Sequence, residues 1–275
     1  FNLNREIREL SNLSLISDYN NENLFQNFSN QLSMLKNNRI LIRDSLRQEC
    51  FNQVKQVLRN DSIPGSLRSK LLVQGAGIVF DIKTGSVLAM LGGRLEDQYY
   101  DYFNRATKAK RQPGSIFKPF VYLSAIKEGH SPYTKLRNQG IKIWDKTEFW
   151  EPENWNNEVG GVYTLRQGLY GSVNLIAVRV MQDLEVSPFS IRNTALNFNF
   201  TTNMNPVPSI ALGSSEVKPI EIISAYSTVA NLGTYLKPII INKIMDSDGK
   251  LIKSFLPEPE VVDSESASYI LVDMM

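Results

Sequence analysis

The chain has 275 residues, 42% hydrophobic and 21% charged, which is enough apolar material for one large domain or two small ones. Its 30 basic and 28 acidic residues leave a formal net charge of +2, so no basic field points to nucleic acid as a partner. The single cysteine, Cys50, excludes an internal disulfide, and the single histidine, His130, weighs against a His-based metal site and against a Ser-His-Asp triad. No metal or cofactor is expected, and a serine hydrolase built from this sequence would need lysine as its base.

No apolar run reaches membrane-spanning length. The chain starts at Phe1 without a signal peptide and ends on the uncapped apolar run Tyr269–Met275, so both ends read as cuts through a longer protein. Residues 1–72 are polar and rich in Asn, Leu and Ser, and read as a linker or pedestal subdomain. Within them, helical spacing is expected over Asp44–Leu58, where Leu46, Cys50, Val54 and Val57 share a face, and Ser62–Gly65 reads as a turn. Residues 73–275 form the second expected domain.

At Ala76–Phe80 the texture becomes strand-like. Asp81–Gly85 reads as a turn and Ser86–Leu91 as the returning strand of a β-hairpin. A loop through Tyr99, Tyr100, Tyr102 and the basic Lys108, Lys110 and Arg111 leads to Pro113-Gly114. The apolar stretch from Ser115 predicts a helix closing near Gly129, in which Pro119 is tolerable only in the first turn. That spacing puts Ser115 at the helix N-terminus and Lys118 on nearly the same face. His130 then caps the helix or is solvated. Residues 130–160, with Trp144, Trp150 and Trp155, read as an aromatic-rich loop. Thr164-Leu165-Arg166-Gln167 is a capping-box pattern opening a helix, Gly171–Asn174 breaks it, and Leu175–Leu184 resumes. Pro219–Ala230 is a further helix, with Glu216 placed near its start. Tyr235–Met245 is read as one strand running into an Asp248-Gly249 turn. Helices with an antiparallel hairpin give an α+β fold.

A nucleophilic serine needs a base, and a lysine serves when burial disfavours its ammonium form. The spacing S-x-x-K alone says little, for it occurs at Ser33, Ser115, Ser124, Ser215 and Ser247. At four of these a solvated serine and lysine is the expectation. Ser115 differs in context, with Pro113-Gly114 before it, Pro119 after it and an apolar helix to bury Lys118. The pattern S-x-N occurs once, at Ser172 and Asn174, where a capped helix break competes evenly with a proton-relay hydroxyl and a substrate-orienting amide.

The run Arg105–Phe120, RATKAKRQPGSIFKPF, closely resembles the first active-site motif of class A penicillin-binding proteins, the bifunctional peptidoglycan glycosyltransferase/transpeptidases. Four further stretches resemble that family in the same order: Gln74–Gly93, Thr164–Gln167 with Ser172–Asn174, Leu212–Val217 and Ala225–Asn231. The likeness runs from Val73 to the C-terminus, and Leu41–Leu58 more weakly resembles the segment before the transpeptidase domain.

The resemblance implies the transpeptidase fold shared with serine β-lactamases. It also implies that Ser115 is acylated by the penultimate D-Ala of a stem peptide or by a β-lactam. Lys118 would be the base, Ser172 the relay and Asn174 a substrate holder. The N–H of Ser115 would supply half of an oxyanion hole, Gly114 would adjoin the substrate, and Trp150 and Trp155 would line the cleft unless they pack under their loop. The implied partners are peptidoglycan stem peptides on lipid-linked glycan strands, β-lactams and the wall-synthesis machinery. The implied location is extracytoplasmic, with a membrane anchor and a glycosyltransferase domain upstream of Phe1. One departure stands out: no K-[ST]-G follows Asn174, and Lys83-Thr84-Gly85 lies on the wrong side of Ser115, in the hairpin turn. The third motif is therefore expected beyond Met275, and the fold is expected to be C-terminally incomplete. A water-using D,D-carboxypeptidase or β-lactamase, and a catalytically silent scaffold or wall-binding module, are the alternatives.

Overall fold

The computed structural model describes Asn52 and residues 73–94, 102–145 and 148–275. Apart from the helical Asn52, the expectations for residues 1–72 (the pedestal, the helix over Asp44–Leu58 with Cys50, the turn at Ser62–Gly65, and Ser33) lie outside these residues, as do Tyr99 and Tyr100. The described fold forms one compact unit, Gly75–Arg94 with Tyr102–Met275.

It opens with β1 (Gly77–Phe80) and β2 (Val87–Leu91), paired antiparallel from Gly77–Leu91 to Phe80–Val87. The Asp81 carboxylate accepts from the N–H groups of Lys83 at 2.8 Å and Thr84 at 3.1 Å, and Gly85 takes φ 72°. Lys83-Thr84-Gly85 is thus a turn. Helix α1 (Arg105–Lys108) is capped by Asn104, and after Pro113 the chain makes a 3₁₀ turn, Gly114–Phe117, that runs into α2 (Lys118–Lys127).

Residues 130–160 hold more order than a loop. β3 (Lys135–Arg137) pairs with β6 (Val162–Thr164), and β4 (Ile143–Trp144) pairs with β5 (Phe149–Trp150). Runs of two or three residues are too short for alternation to show in sequence. The capping box is present at α3 (Leu165–Tyr170): Thr164 Oγ1 accepts from the Gln167 N–H at 3.2 Å, and Gln167 Oε1 accepts from the Thr164 N–H at 2.9 Å. There follow α4 (Asn174–Asp183), α5 (Pro188–Asn197), a second 3₁₀ turn (Pro208–Leu212) and α6 (Pro219–Ala230). The single strand expected over Tyr235–Met245 is two: β7 (Thr234–Leu236) pairs with β10 (Pro259–Val261), and β8 (Lys243–Met245) pairs with β9 (Leu251–Ser254). Pro238, which has no N–H for a ladder, stands at the break. The last helix is α7 (Glu265–Met274). Seven helices and five two-stranded antiparallel ladders among the described residues make an α+β fold, with its strands in pairs rather than one broad sheet.

Helix α2 is the axis of this unit. Every residue from Lys118 to Ile126 is buried, as expected for a helix apolar on all sides, and α4, α5 and α7 pack around it. At its N-terminal end Phe120 sits among the rings of Phe117, Phe198, Phe200 and Tyr226, with centroids 5.3–6.2 Å apart. Each phenylalanine buried there contributes about 1.5–3 kcal/mol, and the cluster forms the floor under the Ser115 turn. One turn beyond Lys118, the Tyr122 hydroxyl is buried with no hydrogen-bond partner. A buried orphan hydroxyl costs roughly 1–3 kcal/mol. Tyr122→Phe is therefore expected to raise Tm by a few degrees, measured by calorimetry, and an unchanged or lowered Tm would refute this reading of the hydroxyl.

Three expectations need correction. Ser124 is buried, not solvated: its Oγ donates to Phe120 O and accepts from Thr194 Oγ1, both at 2.9 Å, and Lys127 pairs with Asp263 at 2.8 Å. Lys218, the lysine spaced after Ser215, is likewise engaged, with Glu221 at 3.2 Å. Glu216 is exposed ahead of α6, and the acid of its first turn is Glu221. Burial pushes the Glu221 carboxyl up, but hydrogen bonds from Thr201, Thr202 and Lys218 together hold it below its ordinary value. At His130 the capping is by backbone: its N–H donates to Ala125 O at 3.0 Å beyond Gly129, whose φ is 94°. Lys108, Lys110 and Arg111 have exposed side chains.

Candidate active site

Pro119 explains the shape of the turn that carries Ser115. An α-helix running through Ser115 would have the carbonyl of Ser115 accept from the N–H of residue 119, and proline has none. The Ser115 carbonyl instead takes the Lys118 N–H, which tightens the turn to 3₁₀, and α2 begins at Lys118. Ser115 thus lies one tight turn ahead of the α-helix rather than at its first position. The change helps the site, because side chains three apart in a 3₁₀ turn eclipse one another. Ser115 is exposed and Lys118, one 3₁₀ turn on, is 1% exposed. The two side chains are not hydrogen-bonded to each other. The Ser115 N–H belongs to the first turn, where N–H groups have no intrahelical partner.

Lys118 Nζ makes three contacts across 54–56 residues of sequence: Ser172 O at 2.5 Å, Ser172 Oγ at 3.1 Å and Asn174 Oδ1 at 2.7 Å. Burial pulls its pKa from 10.5 down to about 8. An amine at that value is free in an appreciable fraction of molecules near neutrality, as a general base requires.

The S-x-N segment is shaped to present these groups. After α3 the N–H of Ser172 donates to Leu169 O and that of Val173 to Gly168 O, both at 2.9 Å, which is a Schellman closure. The left-handed position of that closure, normally glycine, is Ser172, at φ 50°. A non-glycine residue there costs about 1–2 kcal/mol. The strain is kept where the hydroxyl meets Lys118, as strained backbone at working sites often is. The helix break at Ser172 is therefore real, and it turns the hydroxyl to within 3.1 Å of Lys118 Nζ.

Asn174 is clamped from the neighbouring loop. Its Nδ2 donates to Glu153 O at 2.8 Å, leaving Oδ1 for Lys118. Beside it Asn154 Oδ1 accepts from the Leu175 N–H at 3.1 Å, and Asn154 Nδ2 donates to Glu158 O at 2.7 Å and Asn138 Oδ1 at 2.8 Å. The loop meets the site through Glu153 and Asn154, which sequence reasoning passed over in favour of the tryptophans. Trp150 is half-buried against the core, whereas Trp155 is 85% exposed. Gly114 takes φ 60° and its N–H donates to Gly213 O at 3.2 Å. Gly213 and Tyr226, which also touch the Ser115 turn, fall in two of the stretches that carried the family resemblance.

Residues 75–275 match the family model described as penicillin binding protein transpeptidase domain. The chain belongs to the penicillin-binding protein transpeptidase family. Within that family it is similar to penicillin-binding protein 1A of Aquifex aeolicus, with 35% identity over 77% of this chain and 29% of the relative. Penicillin-binding protein 2D of Bacillus subtilis is 32% identical over 80% of this chain and 32% of its own length. The chain thus spans less than a third of either relative. Among solved structures, penicillin-binding protein 1A of Haemophilus influenzae superposes with a TM-score of 0.68 at 25% identity, over 74% of this chain and 35% of that one. The transpeptidase fold extends to more distant members, such as penicillin-binding protein A of M. tuberculosis, with a TM-score of 0.64 at 17% identity. Among the described residues no helix is long and apolar enough to cross a membrane, and no cluster of His, Cys, Asp and Glu is arranged to hold a metal.

Proposed function

We propose that this chain carries a serine D,D-transpeptidase that crosslinks peptidoglycan and is acylated by β-lactams. The observation that carries the reading is the buried Lys118 amine, held by Ser172 and Asn174 one 3₁₀ turn after the exposed Ser115. Ser115 Oγ attacks the carbonyl of the penultimate D-Ala of a stem peptide and gives its proton to Lys118. The C–N bond breaks, and terminal D-Ala leaves with a proton returned through Ser172 Oγ, 3.1 Å from Lys118 Nζ. The ester then passes to the amine of a second stem peptide, releasing Ser115. The Ser115 N–H contributes to the oxyanion hole. The Asn174 side chain orients the donor amide, Gly114 lets the substrate approach, and the exposed Trp155 borders the stem peptide. Trp150 serves the same wall from beneath, packed on the core.

The parent protein works outside the cytoplasm, anchored to the membrane and supplied with lipid-linked glycan strands, a reading supported by the similarity to penicillin-binding proteins 1A and 2D. Intact-mass spectrometry after incubation with benzylpenicillin tests the reading. The expected result is one adduct per protein, absent in Ser115→Ala. No adduct on the folded protein even when the chain runs on through the third motif would overturn it and leave the silent-scaffold alternative, and an adduct that survives Ser115→Ala would remove Ser115 as the nucleophile.

A further inference from the structure

Two residues outside the reacting set bracket the nucleophile. Before it, the backbone of Gly114 lies against Gly213. The Gly114 N–H donates to Gly213 O at 3.2 Å, and a Cβ on Gly213 would stand 2.2 Å from Gly114 O and 2.8 Å from Gly114 N. Gly213 also holds φ 70°, so both its conformation and its surroundings demand glycine. After the nucleophile, the Tyr226 hydroxyl donates to the carbonyl of Ile116 at 2.6 Å. That carbonyl lacks the donor a 3₁₀ turn would give it three residues on, because residue 119 is proline; the phenol takes that place.

The phenol is well fixed. Burial pushes its pKa up to about 12, so it remains a donor, and its ring meets Phe120 edge-on at 6.2 Å. Upstream, Arg111 and Val217 exchange backbone hydrogen bonds of 3.0 and 2.9 Å, tying the approach to the turn to the same segment that carries Gly213. Ser115 is therefore pinned through the residue on each side of it, by groups that make no hydrogen bond with Lys118.

We infer that Gly213 and Tyr226 are positioning residues that set the attack position of Ser115 Oγ, so that losing either lowers the acylation step while leaving binding and the Lys118 base intact. A displacement of about 1 Å in a reacting group can cost on the order of a hundredfold in rate. The inference rests on the transpeptidase reading, and Ser115→Ala separates the two: loss of labelling there tests the reading, and slowed labelling in the clamp variants tests the clamp.

The decisive variant is Tyr226→Phe, which keeps the ring and removes one hydroxyl, with Gly213→Ala as the stronger perturbation. Stopped-flow acylation by a fluorescent penicillin resolves non-covalent affinity from the acylation rate constant. Tyr226→Phe is expected to lower the rate constant about tenfold and Gly213→Ala about a hundredfold. Non-covalent affinity and the pH midpoint of acylation should stay at the parent values. A Tyr226→Phe rate within twofold of the parent overturns the inference. So does a loss carried by affinity, or one that vanishes at 10 °C where parent and variant are equally folded, since either marks a general structural role.

Discussion

Lys118→Met is expected to slow β-lactam acylation by roughly 10²–10⁴-fold, the range a positioned general base supplies, without unfolding the protein. Methionine keeps the length and apolar character of the buried stem and removes only the amine. In the folded protein the ammonium is disfavoured by burial, from 10.5 to about 8. A folded-state pKa below the unfolded one means that the unfolded chain binds the proton more tightly. The cost, on the order of 3 kcal/mol at one pKa unit per 1.36 kcal/mol, is then paid in full below about pH 8. It is relieved as pH rises from about 8 towards 10.5, so wild-type stability should increase across that window. The substitution lifts this cost but leaves Ser172 O, Ser172 Oγ and Asn174 Oδ1 without their donor. These effects oppose, so the change in Tm should be small. The wild-type acylation rate should rise about tenfold per pH unit up to about 8 and level off above it, as the free amine accumulates. A rate flat from pH 6 to 9.5, or a Lys118→Met protein that acylates at the parent rate, would remove Lys118 from the role of base.

Much of the scaffold was legible because its signals are local. The Asp81–Gly85 turn, the Thr164/Gln167 capping box and the span Pro219–Ala230 each depend on residues within a few positions of one another. Helix α5 was missed although Ser187 and Pro188 announce its start, because few of its residues are apolar and buried, chiefly Ile191 and Ala195. Helix α7 reads in sequence only as the apolar run from Tyr269, because Ser264, which caps the helix directly before Glu265, lies ahead of that run. In the site, Ser115 and Lys118 are three residues apart and their eclipsed relation follows from Pro119. The meeting of Lys118 with Ser172 and Asn174 spans more than fifty residues and came only through the family resemblance. Glu153, Asn154, Gly213 and Tyr226 act through backbone atoms: a carbonyl, a helix N–H, a close approach and a turn carbonyl. Such contacts leave no side-chain pattern in the sequence.

Asn154→Leu should be the most damaging single change in the loop that backs the site. Asn154 is 6% exposed and all three of its bonds are internal. Its Oδ1 satisfies the Leu175 N–H in the first turn of α4, one of the donors that a helix cannot satisfy for itself. Its Nδ2 satisfies Glu158 O and Asn138 Oδ1, and Asn138 is itself buried. Leucine fills a similar volume but strands the Leu175 N–H and Asn138 Oδ1 in buried surroundings, at about 1–3 kcal/mol for each group left unpaired. The expected loss is roughly 3 kcal/mol, or about 6–12 °C in Tm for a unit of this size. The damage should also reach the chemistry. Asn174 begins α4 and is held by Glu153 O next to Asn154, so loosening this turn frees Asn174 Oδ1 from Lys118. Acylation measured well below the lowered Tm should therefore still fall, by roughly tenfold or more, with its pH midpoint displaced from about 8. Asn154→Asp keeps the acceptor for the Leu175 N–H and should recover part of the rate while remaining less stable than the parent. An Asn154→Leu protein that loses stability but acylates at the parent rate would show that the loop supports the fold without setting the Lys118–Asn174 contact.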